Sequence, residues 1–161
     1  MPRGPRKWPE PCYSDFWSVT LGTFQSAEAY RHALRKPNYV VDDWAKDILF
    51  KIDLAPAEVV VDLVAASVED LGFSARTTYS EVCARARDID LALCPAEVGP
   101  ALCLAYKPSR VHIAMEPIAE RFGEEVIFSI LSNGTTQSLI GTSGDAGRFC
   151  RLADEFVFLA H

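Results

Sequence analysis

Three residues in the second half of the chain have side chains that could carry out nucleophilic chemistry together. Cys94 precedes Pro95, which is a common residue at the start of a helix. At a helix N-terminus the dipole would lower the pKa of the Cys94 thiol and favour a thiolate nucleophile. His112 would then act as the base and Glu116 would orient it. This pattern predicts a cysteine-dependent hydrolase or transferase.

The same cysteine also fits a purely structural role. It lies between the apolar residues Leu93 and Val98, and no signature of a known catalytic cysteine surrounds it. The chain has five cysteines, whereas a secreted disulfide framework normally uses an even number. Free cysteines pack like small hydrophobic residues in a reducing compartment. We therefore expect buried free thiols and a cytoplasmic protein.

Metal and cofactor sites are not expected from the sequence. A centre made of Cys94, Cys103 and His112 would lack the close ligand spacing of zinc sites. The glycine-rich segment 141–147 lacks the Gly-Lys-Ser/Thr ending of a phosphate-binding loop. We interpret that segment as a mobile surface loop, and we predict neither a metal nor a cofactor.

Four other residues are candidates for contact with a partner. We expect a binding surface around Trp44, Asp47, Glu97 and Tyr106. Two of them also have simpler explanations. A tryptophan is more often part of the core, and an acid early in a helix such as Asp47 interacts favourably with the helix dipole.

Length and charge limit the classes of function. The chain has 161 residues, of which 49% are hydrophobic and 24% charged, as is typical of one globular domain. Its net charge of −6 argues against a nonspecific nucleic-acid surface, which needs clustered Lys and Arg. No apolar segment follows the basic residues near the N-terminus, and no run approaches ~18 apolar residues. We expect neither a signal peptide nor a membrane helix.

Helical patterns dominate the first two thirds of the sequence. Start signals precede four segments: Ser26 before 27–34, Asp42 or Asp43 before 44–49, Pro56 before 57–71, and Thr78 before 79–88. The segment 57–71 has apolar residues at helical spacing, although its valine run would also suit a strand. A further helical turn begins near Pro95, and Pro100 is expected to end it.

The period changes from 3.6 to 2 after Pro100. Alternating residues predict strands at 102–106 and 111–115, joined as a hairpin, and more strands at 126–131, 135–140 and 155–160. Asn133-Gly134 predicts a type I′ turn between two of them. One early strand is expected at 16–24, after an extended arm at 1–15.

These elements predict one α+β domain over 16–161, helical at 26–99 and β-rich at 101–160. Four to five N-terminal helices would pack on a C-terminal antiparallel sheet of about five strands. The order of elements at 56–118 also resembles a winged helix-turn-helix, in which Arg76, Arg85 and Arg87 would meet phosphates. Against DNA binding, the segment in the place of the recognition helix is short and carries Glu97.

Several phrases resemble a small bacterial domain family with no assigned activity. They are Asp43-Trp44-Ala45-Lys46-Asp47-Ile48-Leu49, the run from Leu93 to Pro100, and Ile113-Ala114-Met115-Glu116-Pro117-Ile118. Three positions depart from the pattern. Asp90 stands in place of a helix-ending glycine, which Asp can replace in the left-handed region at some cost. Cys103 and Ala105 stand in place of Arg and Gln.

The resemblance implies no chemistry, so the function rests on the residues. We favour a non-enzymatic cytoplasmic interaction or regulatory domain with a protein partner, because no convincing catalytic set is present. The alternatives are the cysteine-dependent enzyme built on Cys94 and a winged-helix DNA-binding regulator. Nucleic acid is the less expected partner, and a membrane is not expected.

Overall fold

A curled eight-stranded sheet runs through the molecule and positions every other element. The computed structural model describes residues 13–160. The strands in this range are β1 (Asp15–Leu21), β2 (Tyr39–Val41), β3 (Val59–Ser67), β4 (Thr77–Thr78), β5 (Arg110–Ile113), β6 (Ile118–Ala119), β7 (Glu125–Ser132), β8 (Gln137–Ser143), β9 (Phe149–Cys150) and β10 (Glu155–Leu159). The helices are α1 (Ala27–Ala33), α2 (Asp43–Leu49), α3 (Tyr79–Asp88) and α4 (Val98–Ala105).

The large sheet is mixed, and its strand order is β1-β3-β10-β5-β7-β8-β2, with β6 also paired to β7. The β10–β5 and β8–β2 pairs are parallel, and the other pairs are antiparallel. β4 and β9 form a separate two-stranded ribbon. The sheet therefore ends in β1 on one side and in β2 on the other, and both end strands come from the first quarter of the chain.

Helices cover both faces of this sheet. His112 of β5 pairs in register with Ser129 of β7, so the preceding residue Phe128 points to the opposite face. Tyr79 of α3 stacks on Phe156, which neighbours His112, and this places α3 on the first face. Gly99 of α4 lies so close to Phe128 that an added Cβ would come within 2.5 Å of the Phe128 ring. α4 therefore packs on the second face.

Local capping signals confirm three of the predicted helices. The side chains of Ser26, Asp42 and Thr78 each accept a hydrogen bond from the backbone N–H three residues later, at the starts of α1, α2 and α3. Such caps satisfy one of the free donors at a helix N-terminus. Asp90, which follows α3, has a φ of 65°, so the predicted left-handed residue is confirmed.

The helix predicted at 57–71 is wrong, because Val59–Ser67 forms β3 between β1 and β10. Its valine run has the β-branched side chains that favour strands. Four consecutive residues from Leu63 to Ala66 are buried, because both faces of the second half of this strand are covered. Covered faces remove the alternation of polar and apolar residues, and the remaining apolar spacing resembled that of a helix.

The strand predicted at 102–106 is also wrong, because Val98–Ala105 forms α4. Pro100 was expected to end a helix, yet it lies in the first turn of this one. The N–H groups of a first helical turn have no partner within the helix, so a proline there loses no hydrogen bond. The hairpin predicted between 102–106 and 111–115 consequently does not form, and β5 pairs with β7 and β10 instead.

The predicted architecture is therefore overturned. In place of N-terminal helices on a C-terminal antiparallel sheet of about five strands, residues 13–160 form four helices around a mixed sheet that includes β1, β2 and β3. The winged-helix core expected at 56–118 fails for the same reason, because its first helix is β3. Most of the extended arm predicted at 1–15 lies outside the described residues.

The β7–β8 hairpin is where the Asn133-Gly134 signal placed it, but its turn differs. Gly134 has a φ of 94°, whereas Asn133 does not have a positive φ. A type I′ turn needs positive φ at both positions, so that turn type is wrong. The Asn133 side chain instead accepts hydrogen bonds from the N–H groups of Thr135 and Thr136. β8 continues to Ser143, so the predicted loop at 141–147 begins as a strand.

Within the described range, no helix is long and apolar enough to cross a membrane.

Candidate functional site

Cys94 lies in the interior, four residues before α4 begins. Its side chain is 4% exposed, and its thiol donates to the carbonyl oxygen of Val157 at 3.4 Å. Burial raises the pKa of the Cys94 thiol well above its usual value, because the thiolate would lose its hydration. α4 begins at Val98 with Glu97 as its N-cap, so Cys94 does not occupy the N-terminal position in the helix that the sequence argument required. The environment is that of a packed, protonated cysteine.

His112 is also buried, and its described contacts do not include a cysteine. Its Nδ1 lies 2.6 Å from the hydroxyl of Ser129, and its ring packs against Phe156 at a centroid distance of 5.1 Å. Burial, together with the positive charge of Arg148, lowers the pKa of His112 to about 4. The imidazole is therefore neutral at pH 7 inside the sheet.

A polar chain continues from His112 across two more strands. The Ser129 hydroxyl lies 2.8 Å from that of Thr142, and the Arg148 guanidinium donates to the Thr142 hydroxyl at 3.4 Å. Arg148 also donates to the carbonyl oxygen of Ser143 at 2.7 Å. These contacts satisfy buried polar groups, as the interior requires.

Glu116, the third member of the predicted set, is exposed. It lies at a cavity of about 260 Å³ whose other lining residues include Cys83, Arg87 and Glu125. The described hydrogen bonds of Cys94 and His112 lead to Val157 and Ser129, and no described hydrogen bond joins two of the three predicted residues. Nucleophilic chemistry at Cys94 stays a prediction, and the burial of its thiol argues against it.

Glu97 is a fully buried acid with a structural role that the sequence did not indicate. Its carboxylate accepts from the Gly22 N–H at 2.8 Å, the Ala55 N–H at 2.8 Å and the Tyr30 hydroxyl at 2.5 Å. Burial and this hydrogen bond raise the pKa of Tyr30 far above its usual value. Glu97 connects the end of β1, helix α1 and the segment before β3, and its side chain has no access to a ligand.

Asp47 is paired with a residue from the β6–β7 connection. Arg121 contacts both carboxylate oxygens of Asp47, through Nε at 2.9 Å and Nη2 at 2.6 Å. These hydrogen bonds lower the pKa of Asp47 to about 2. Trp44 is half-buried and lies close to Gly141. A Cβ added at Gly141 would come within 2.5 Å of the Trp44 Cβ. Both side chains line a cavity of about 330 Å³ with Phe122 at its rim.

Tyr106 lies elsewhere, at a groove between β1 and α4. Its hydroxyl donates to the carbonyl oxygen of Ser18 at 3.0 Å, and its ring centroid is 6.5 Å from that of Trp17. The groove has a volume of about 430 Å³. Its lining consists of strand, connection and helix residues: Ser18, Val19, Thr20, Thr23, Phe24, Tyr30, Ala101, Leu104, Ala105 and Tyr106. The four predicted binding residues thus occupy three separate places.

The cysteines and the acids supply no metal centre in the described part of the chain. Cys83, Cys94, Cys103 and Cys150 are free thiols and all are buried. No group of three or more His, Cys, Asp or Glu side chains in residues 13–160 is arranged to hold a metal ion.

The β1–α4 groove is the feature that sequence reasoning missed. Its two walls are about 80 residues apart in the chain, and α4 was interpreted as a strand. Of the four candidate binding residues in the sequence, Tyr106 alone lines this groove. Comparison with known proteins adds no relative, because no family model, curated protein or solved structure matches the chain.

Proposed function

We propose that this protein is a non-enzymatic interaction domain that binds an extended, basic and apolar segment of a partner protein along the free edge of β1. The observation that carries the proposal is the groove that follows this edge, with α4 as its other wall. The partner segment would add one strand to the sheet, which is a common mode of peptide recognition.

The main chain of β1 offers hydrogen bonds to such a segment. β1 has seven residues and, within residues 13–160, pairs with β3 alone, so alternate N–H and C=O groups point away from the sheet. Unpaired groups on an edge strand are a template for a further strand. Two main-chain groups of β1 already have side-chain partners, because the Ser18 carbonyl accepts from the Tyr106 hydroxyl and the Phe16 N–H donates to the Asp15 carboxylate. The added strand would use the remaining groups.

The side chains around β1 suit a segment that is apolar on both faces. On the α4 side, Ala101 and Ala105 are small and leave the volume of the groove open. On the other side, Phe16 of β1 and Val60 of β3 are each 65% exposed. Successive side chains of an added strand point to alternate faces. One set would enter the groove and the other would cover Phe16 and Val60.

The charges at this edge favour a basic partner segment. The β1–β3 pair and its flanks carry Asp15, Glu58 and Asp62, while residues 13–22 and 54–67 contain no Lys or Arg. Charge complementarity across an interface increases the association rate and selects among partners. We therefore expect Lys or Arg beside the apolar residues of the bound segment.

The test uses a synthetic peptide that is apolar on both faces, Lys-Val-Leu-Val-Leu-Val-Lys with blocked ends, titrated into the ¹⁵N-labelled full chain. We expect saturable NMR shifts of backbone amides in 15–21 and 98–106. Ala105→Trp fills the groove and should weaken binding at least about tenfold. Ala84→Trp is the matched control, because Ala84 is also an exposed helical alanine but lies on α3.

Three outcomes would contradict the proposal. They are the absence of saturable binding, shifts located outside β1 and α4, and an Ala105→Trp variant that binds as well as the wild type. A peptide with glutamate in place of both lysines tests the charge argument separately. It should bind more weakly than the lysine peptide at low salt, and the difference should shrink as salt screens the charges.

A further inference from the structure

A second concave site lies at the opposite end of the sheet, between α1, β2 and α2. It is a cavity of about 240 Å³. Its lining residues are basic, apolar or aromatic, with no acid among them: Arg31, Leu34, Arg35, Tyr39, Val41, Lys46, Leu49 and Phe50. This composition is unusual for a chain whose net charge is −6.

Three cations converge on this cavity from two helices. Arg31 lies in the last turn of α1, Arg35 follows one turn later, and Lys46 lies in the last turn of α2. Like charges held close together repel each other, which destabilises the free protein slightly. An anion bound among them would remove that repulsion and would accept charge-assisted hydrogen bonds.

Within residues 13–160, few ion pairs neutralise these cations. Arg31 pairs with Glu28 at 3.3 Å, but both side chains are largely exposed, so this pair contributes little. Arg35 and Lys46 have no ion pair with any residue in the described part of the chain. The cavity thus presents two cations whose hydrogen-bonding capacity is open to a ligand.

Beneath the cations the cavity is apolar. Leu34 and Leu49 are buried, and Val41 and Tyr39 of β2 are half-buried beside them. Phe50 is 50% exposed at the rim, with its ring centroid 5.8 Å from the Arg31 guanidinium. An inorganic anion would leave this apolar floor unused, and an uncharged apolar molecule would leave the cations unpaired. The lining fits a ligand that has both parts.

We propose that this cavity binds a small organic anion, namely a carboxylate or phosphate group on a compact flat apolar body. The anionic group would contact Arg35 and Lys46, and the apolar body would lie on Leu34 and Leu49 beside Phe50. The cavity is smaller than the ~300–1,000 Å³ typical of sites for drug-sized ligands, so the body is about the size of one aromatic ring. The proposal is independent of peptide binding at β1.

The test is calorimetric titration of the full chain with four probes: phenyl phosphate, benzoate, inorganic phosphate and benzyl alcohol. Phenyl phosphate and benzoate should bind saturably. Inorganic phosphate lacks the apolar body and benzyl alcohol lacks the charge, so each should bind at least about tenfold more weakly. Which of the two organic anions binds more tightly distinguishes a phosphate ligand from a carboxylate ligand.

Single substitutions locate the binding. Arg35→Gln and Lys46→Gln should each weaken phenyl phosphate binding about tenfold or more, through loss of a charge-assisted hydrogen bond. Both residues are exposed, so the variants should fold, and a thermal melt checks this. Lys36→Gln is the matched control, because Lys36 is exposed, adjacent to Arg35 and absent from the lining. It removes the same charge and should change binding less than about twofold at 0.15 M salt.

Several results would overturn the proposal. The first is no binding of either organic anion at about 10 mM, which is weaker than a specific site would give. The second is inorganic phosphate that binds as tightly as phenyl phosphate, which would indicate a nonspecific cationic surface. The third is a Lys36→Gln variant that loses as much affinity as Arg35→Gln, which would indicate a general field effect.

Discussion

The centre of the sheet and its two ends differ in how they treat side chains that could do chemistry. In the centre, Cys94 and His112 are each 4% exposed, and their polar atoms bond to neighbouring strands. At the ends, β1 and β2 border concave surfaces whose polar groups have room for a ligand. The residues with the most reactive side chains are thus the least accessible ones.

This difference is the reason that both binding sites we propose lie at the edges of the sheet. Desolvation in the centre raises the pKa of the Cys94 thiol and lowers the pKa of His112, so both groups stay uncharged at pH 7. A nucleophile and a base need the opposite shifts. The two ends differ from each other as well, since the β1 end has acids on β1 and β3 whereas β2 adjoins Arg31, Arg35 and Lys46.

The largest effect we expect is the protection of the central thiols. Reaction of Cys94 with iodoacetamide at pH 7 should be slower than in the urea-unfolded chain by about 10³-fold or more. The physical reason is that labelling requires opening of a core whose stability is on the order of 5 kcal/mol or more. Mass spectrometry of the Cys94 peptide over time measures the rate.

Cys103 provides the control within the same experiment. It is fully buried in α4, and burial raises its pKa to about 12, so it should be protected to a similar degree. Rapid labelling of Cys94 alone, abolished by Cys94→Ser, would contradict the distinction between centre and edges. That result would favour the cysteine-dependent enzyme.

The next effect concerns the support of the β1 edge. Glu97→Ala should lower the free energy of unfolding by about 3–5 kcal/mol, because three donors, including the buried Tyr30 hydroxyl, would lose their acceptor. Urea denaturation measures this loss. Tyr30→Phe removes one of the three hydrogen bonds and should cost about 1–2 kcal/mol.

Glu69→Ala is the control, because Glu69 is exposed and has no described side-chain hydrogen bond. It should change stability by less than about 0.5 kcal/mol. Hydrogen exchange then distinguishes local from global loss. Glu97 accepts a hydrogen bond from Gly22 at the end of β1. The Glu97→Ala substitution should therefore increase the hydrogen-exchange rates of the β1 amides more than those of the β7 amides. Equal acceleration in both strands would show that Glu97 supports the whole core rather than this edge.

The sequence predicted those elements whose signals are local. The caps of α1, α2 and α3 are hydrogen bonds between residues three positions apart in the chain. The Asn133-Gly134 pair alone was sufficient to locate the connection between β7 and β8. The predictions for the segments that form β3 and α4 were wrong, because tertiary burial determined the secondary structure of both. The second half of β3 is covered on both faces, and α4 is an uncharged segment whose alternating leucines suited either period. Patterns of period 2 and 3.6 are informative only when one side of an element faces water.

The candidate sites were less predictable than the fold, because their parts come from distant segments. The partners of Glu97 lie 42 to 75 residues away in sequence, so nothing around it distinguished a buried acid from a surface one. The cationic cavity is lined by residues of α1, β2 and α2, and β2, which pairs with β8, was not predicted. The sequence places basic residues late in α1, but their convergence with Lys46 depends on the fold.

The smallest of the three effects tests whether the centre must stay uncharged. His112 has a pKa of about 4 in the folded protein, below the ordinary value of 6.5 that it regains on unfolding. Its stabilising contribution is therefore complete above pH 6.5 and is lost as the pH falls towards 4, because the unfolded chain takes up a proton first. The difference between the folded and unfolded pKa values of His112 corresponds to about 3 kcal/mol in the free energy of unfolding. Urea denaturation at pH 7 and pH 4.5 should capture most of it.

The comparison with His112→Gln isolates this histidine from the acids that also titrate in that range. At pH 7 the variant should be less stable than the wild type, because glutamine cannot match the packing of the ring against Phe156. At pH 4.5 that deficit should shrink by about 2–3 kcal/mol, since only the wild type loses stability by protonation of the unfolded chain. His32→Gln, at an exposed position, should show no such change. A deficit that stays constant with pH would mean that His112 accepts a proton in the folded state, and the centre of the sheet would then be open to acid–base chemistry.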